Sequence, residues 1–150
     1  MGQRQRRVMN KLNYIIEKYP VVFKKPDTII YSELPDGWIG IVDELCNSLT
    51  PILEESYKQY PLDDCDYGFV VEQIKEKFGG LRIYFQLASQ DPDLYDKITK
   101  LVFECELKSK SICQISGKPG SLCKKNNWYY TLSEEYQKEH GYEAIKKTQD

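Results

Sequence analysis

Apolar residues in this chain follow two rhythms, and the switches between them mark its elements. Val8, Leu12, Ile15 and Ile16 recur at helical spacing across residues 4–18, where Pro20 stops the run. Trp38, Ile41, Val42, Leu45, Leu49, Ile52, Leu53 and Tyr57 recur at spacings of three and four, which predicts a longer amphipathic helix opening after Asp36-Gly37. Pro51 lies inside that run, so the helix is expected to kink there or to restart with Thr50 as its N-cap. A further helix is expected after Asp91-Pro92-Asp93, with Leu94, Ile98, Leu101, Val102 and Cys105 as its buried stripe. Between these helices, residues 69–88 read FVVEQIKEKFGGLRIYFQLA and alternate with a period of two on either side of a Gly-Gly pair, a β-hairpin signal.

With Gly79 and Gly80 as the turn, Phe78 is expected opposite Leu81, Lys77 opposite Arg82, Lys75 opposite Tyr84 and Ile74 opposite Phe85. One face then carries Ile74, Phe78, Leu81, Ile83, Phe85 and Leu87 and has to be covered. The other carries Gln73, Lys75, Lys77, Arg82, Tyr84 and Gln86, three cations and a phenol with no carboxylate among them. Lesser signals complete the chain. Ile29, Ile30 and Tyr31 suggest one short strand, residues 61–68 an acidic connector, residues 113–120 a knuckle-like turn, residues 128–132 a strand and residues 133–147 a final helix.

These elements predict an α+β domain, a small antiparallel sheet built on the central hairpin, extended by residues 128–132 and packed against helices. One domain of 150 residues is expected, divided into an N-terminal helix and extended segment (1–35), a helix–hairpin–helix core (36–111) and a tail (112–150).

Charge narrows the function classes. The 21 basic and 23 acidic side chains leave a net charge of -2, which disfavours nucleic acid as a partner and makes any affinity for phosphate a local matter. No apolar run is long enough to span a membrane, and MGQRQRRVMNK is not followed by a secretory apolar stretch, so a cytosolic protein with no membrane partner is expected. The five cysteines have no disulfide-framework spacing and are expected to be reduced. A lone histidine, His140, and the absence of nucleophile–base, zinc-protease or phosphate-loop patterns argue against an enzyme: no catalytic residue and no cofactor is expected.

The combination of VEQIKEKFGGLRIYF, PDGWIGIVDELC, CQISGKPG and TLSEEY resembles a family of small uncharacterised proteins of phages and prophages. The resemblance spans residues 37–136. In that family the tail motifs resemble C-x-x-C-G-x-P-G and T-L-C-x-x-H, which implies a tetrahedral zinc site. The matching positions here are Cys113, Ser116, Ser133 and Tyr136, so the resemblance implies a zinc knuckle that has lost its metal and is held by packing.

The phage context and the hairpin cations lead to one functional expectation. Lys75, Lys77 and Arg82 would hold the phosphate of a phosphorylated small molecule such as a nucleotide immune signal, with its base stacked on Tyr84, Trp38 or Trp128. The protein would then act in the host cytosol as an anti-defence binder that sequesters the signal. The alternatives are an inhibitor that binds a host defence protein and a nucleic-acid-binding accessory protein, with a homo-oligomer open in each case.

Overall fold

The computed structural model describes residues 12–29 and 32–145. Residues 12–18 are helical (α1), and the expected extension of this helix back to residue 4 lies outside the described residues. Leu12 and Ile15 are buried, and Lys18 Nζ and Tyr19 Oη both reach Asp43 Oδ1, at 2.9 and 2.8 Å, so α1 is tied to the next helix by a shared carboxylate. Of the short strand expected at Ile29, Ile30 and Tyr31, Ile29 closes a short 3-10 turn, Pro26–Ile29, and Ile30 and Tyr31 lie outside the described residues.

A second 3-10 turn, Asp36–Trp38, leads into α2, Ile39–Gln59. This helix runs unbroken through Pro51, so Thr50 is no restart; its Oγ1 instead donates to the Cys46 carbonyl at 2.8 Å. Helix α3, Leu94–Ser109, packs beside α2. Strands β1, Phe69–Lys77, and β2, Gly80–Leu87, form the antiparallel hairpin, whose inner face lies on both helices. Phe69, Ile74, Leu81 and Ile83 join Leu49, Leu53 and Ile98 in the main core.

The edges of this hairpin are closed by side chains and by one crossing segment. Ser32 Oγ accepts from the Ile74 N–H, and the Glu33 N–H donates to the Ile74 carbonyl, on the β1 side. On the β2 side, Ser109 Oγ accepts from the Leu81 N–H and Glu106 Oε2 from the Ile83 N–H, each at 2.9 Å.

The tail builds a separate sheet rather than extending the hairpin, which corrects the expectation for residues 128–132. Strands β3, Ser121–Lys125, β4, Trp128–Leu132, and β5, Glu143–Ala144, lie in the order β4-β3-β5. Helix α4, Glu134–His140, is shorter than expected because Gly141 turns left-handed at φ 72° and ends it. Cys113, Cys123 and Leu132 form a second small core, flanked by Tyr130, Tyr136 and Tyr142. The two parts are joined where the Trp38 Nε1 donates to the Ile112 carbonyl and the Gly37 N–H to that of Gln114, at 2.9 and 3.0 Å. Gly37 faces the backbone of residues 113–117 so closely that no side chain fits there. The architecture is α+β, a helix-backed hairpin with a small sheet at one end. Among the described residues no helix is long and apolar enough to cross a membrane.

Candidate functional site

The outer face of the hairpin depends on its turn, which lies one residue earlier than the Gly-Gly pair suggests. Phe78 and Gly79 occupy it, with φ of 53° and 80°, and both must be left-handed for a tight two-residue connection. Gly79 is the position that cannot carry a side chain, since a Cβ there would meet Leu122 Cδ1 at 2.7 Å and the Tyr130 and Thr131 backbone at 3.1 and 3.3 Å. Thr131 Oγ1 donates to the Gly79 carbonyl, and Glu76 Oε1 accepts from the Gly79 N–H at 2.7 Å. The turn is therefore seated on β4, and this contact selects the register.

In that register Lys77 pairs with Gly80, Lys75 with Arg82, Ile74 with Ile83 and Gln73 with Tyr84, which corrects each expected pair. The faces survive the correction, because a two-residue change of partner keeps odd and even positions apart. Ile74, Leu81 and Ile83 are buried, Phe85 and Leu87 half-buried, and Tyr84 is exposed; only Phe78 of the expected inner set is out in solvent, 70% exposed. Lys75 and Arg82 thus stand directly across from each other, with Lys77 two rungs on, the next position along the same face. The Lys75 ammonium lies 5.6 Å from the centre of the Tyr84 ring and that of Lys77 5.8 Å from that of Phe78. Among the described residues the ion pairs join Lys18 to Asp43, Lys108 to Glu44 and Lys138 to Glu134, and so leave these three cations without a carboxylate.

Two hollows flank this cationic strip. At the open end of the hairpin a groove of about 850 Å³ has Gln73, Tyr84 and Gln86 along its floor, with Lys25 stacked on Tyr67 at its edge. A bulge between Val71 and Gln73 turns Glu72 towards this groove, where Asp66 also lies, so the outer face is not free of carboxylates as alternation alone suggested. At the turn a second cleft of about 540 Å³ is lined by Lys77, Phe78, Trp128 and Tyr129. Asn126 and Asn127, both left-handed at 52° and 67°, form the turn that brings Trp128, 70% exposed, beside the hairpin tip. Phe78 and Tyr129 meet edge to face at 6.5 Å.

Of the six expected ligand residues, the structure brings Lys75, Lys77, Arg82 and Tyr84 onto one surface and sets Trp128 at its tip. Trp38 is a correction: it is fully buried and its indole N–H is spent on the Ile112 carbonyl, so it offers no ring to a ligand. Phe78, Tyr129 and Lys110, whose Cε lies 3.8 Å from where a Cβ on Gly80 would stand, are the neighbours that sequence reasoning missed. The Asn-Asn pair ahead of Trp128 was a turn signal that could have revealed the first two.

The tail motif also assembles as a unit. Cys113 Sγ accepts from the Ser116 N–H at 3.5 Å, Ser133 Oγ caps α4 by accepting from the Tyr136 N–H at 3.2 Å, and Tyr136 packs on the cysteine core. Burial pushes the Cys113 thiol up, yet the Ser116 hydroxyl and the N–H groups of Ser116, Ser133 and Ile115 together hold it below the ordinary thiol value. Burial raises Cys123 to about 11. Among the described residues no three His, Cys, Asp or Glu side chains are placed to hold a metal ion. No family model matches the chain, and no curated protein or solved structure shows significant similarity to it.

Proposed function

We propose that the protein is a non-catalytic binder that captures a phosphorylated small molecule of nucleotide type on the outer face of the β1–β2 hairpin. The observation that carries this reading is the Lys75–Arg82 pair, two like charges directly opposed on adjacent strands with Lys77 beside them. Such a pair is destabilising by some tenths of a kcal/mol to about 1 kcal/mol, and an anion seated over it removes the penalty. Arg82 supplies a planar fork for phosphate oxygens, the lysines add mobile point charges, and Tyr84 offers an exposed ring for a base. The mixed charge of the larger groove, with Asp66 and Glu72, suits the uncharged part of such a ligand better than its phosphate. The resemblance to phage and prophage proteins supports a role in sequestering a nucleotide immune signal in the host cytosol.

Calorimetry against cyclic dinucleotides and ADP-ribose-type molecules at two salt concentrations tests the reading. Arg82→Ala is expected to weaken binding about ten- to a hundredfold, the equivalent of about 1.5 to 3 kcal/mol for a charged hydrogen bond, while unfolding stays nearly unchanged. Tyr84→Ala is expected to weaken binding without changing its salt dependence. A panel that shows no binding, or binding indifferent to Arg82→Ala, overturns the small-ligand reading. A protein partner is then favoured by the exposed Phe78 and Trp128, since aromatic residues of this kind anchor protein interfaces.

A further inference from the structure

The two hollows lie at opposite ends of one face. Tyr84 lines the groove and Lys77 the tip cleft, and both belong to the outer face of the hairpin. Tyr84 pairs with Gln73 and Lys77 with Gly80, so the stretch of β2 from Gly80 to Tyr84 sets the two rungs about 13 Å apart. Lys75 and Arg82 pair between them and line neither hollow.

Each hollow is lined by an exposed aromatic ring. In the groove this is Tyr84, 41% exposed, with the Gln73 and Gln86 amides beside it to meet the donors and acceptors of a base edge. In the tip cleft the rings are those of Phe78 and Trp128, which stand far out in solvent. Phe78 adds an observation of its own. Its left-handed φ is strained for a bulky side chain, and strain of this kind collects at ligand clamps. The strained turn keeps one ring at the cleft, and the left-handed Asn126-Asn127 turn brings Trp128 to the same cleft.

A single nucleotide has one base for these two ring sites. Neighbouring bases stacked in a strand lie about 3.4 Å apart, far closer than the two hollows, so a ligand that fills both holds its bases splayed. The anionic bridge between such bases falls on the stretch where Lys75 and Arg82 stand.

We propose that the hairpin takes a ligand with two nucleobases, one stacked on Tyr84 in the groove and one against Phe78 and Trp128 in the tip cleft, joined through phosphate lying over Lys75 and Arg82. The ligand class is a dinucleotide rather than a mononucleotide. This rests on the phosphorylated-ligand reading above.

The test compares adenosine and guanosine diphosphate with the matching dinucleoside diphosphates and cyclic dinucleotides, by calorimetry and tryptophan fluorescence on the whole chain. A dinucleoside diphosphate carries one more base and no more charge than the nucleoside diphosphate, so a gain in affinity is not electrostatic. At least one dinucleotide is expected to bind about tenfold or more tightly than its single-base counterpart and to quench the emission of Trp128, with buried Trp38 as the constant background. Trp128→Ala and Tyr84→Ala are each expected to weaken that dinucleotide about five- to a hundredfold, the range for one base stacked on one aromatic residue. Phe78→Asn is expected to lose about fivefold or more while its stability holds or rises, which a ring kept for structural reasons would not do. The two-base reading is overturned when no dinucleotide binds more tightly than its single-base counterpart or when binding leaves Trp128 emission unchanged. Dinucleotide affinity equal to wild type in Trp128→Ala or Phe78→Asn overturns it as well. If single-base ligands still bind in an Arg82-dependent way, only the two-base reading falls; if no nucleotide binds at all, the proposed function falls with it.

Discussion

Phe78 holds an unusual combination: a bulky side chain at a φ of 53° with its ring 70% exposed. The left-handed conformation costs such a residue about 1 to 2 kcal/mol, and little burial offsets it. Phe78→Asn, which tolerates that conformation, is expected to raise stability by about 1 kcal/mol in chemical denaturation. A loss of stability would show that the edge-to-face contact with Tyr129 outweighs the strain. The same residue explains where sequence reasoning slipped. A Gly-Gly pair reads as its own turn, and the reason that only Gly79 sits there is its packing on Tyr130 and Thr131, more than fifty residues away and invisible to local pattern. Arg82 and Tyr84 were legible all the same, because strand alternation fixes their face whichever partner they meet. Trp38 and Trp128 were ambiguous since an aromatic residue in an apolar run carries no mark of whether it faces core or solvent; the structure buries the first and exposes the second.

Among the elements, α2 shows most directly what holds the fold. Asp43 on this helix accepts from Lys18 and Tyr19, and these bonds keep its carboxyl below the ordinary carboxylate value. A carboxyl whose folded value is depressed stabilises the fold above its unfolded value, about 3.9, and loses that contribution as pH falls through the folded value. Asp43→Asn is therefore expected to be less stable than wild type at neutral pH, with the gap in Tm closing as pH drops below about 4. A gap that stays constant with pH would show that the tie between α1 and α2 owes little to the charge. Pro51 is the opposite case, an exposed proline inside a continuous helix. Pro51→Ala is expected to add about 1 to 3 kcal/mol by restoring a backbone donor and a better helix former. The apolar stripe of α2 was legible on both sides of Pro51, although the restart at Thr50 held open there does not occur, whereas the end of α4 was not legible, because a glycine within a polar run gives no sign of whether it will turn left-handed as Gly141 does.

At the scale of the whole molecule, the tail positions that the resemblance matched to zinc ligands, Cys113, Ser116, Ser133 and Tyr136, lie around one small cysteine core. Ser116→Cys, Ser133→Cys and Tyr136→His together, joined to native Cys113, are expected to create a zinc-dependent rise in Tm that a chelator reverses, while wild type responds to neither. A triple variant indifferent to zinc would show that the four positions do not meet closely enough. The division into two sheets was not legible in the sequence, since β5 is two residues long and the docking of β4 on the hairpin turn depends on a tertiary hydrogen bond. The closed edges of the hairpin carry a last consequence. With the Ile74 N–H and carbonyl and the Leu81 and Ile83 N–H groups already engaged, the middle of this ribbon keeps few backbone donors to template another strand. Recruitment by strand addition, and the fibre growth that shares its chemistry, are disfavoured there. Whatever this protein recognises through the hairpin must read its side chains.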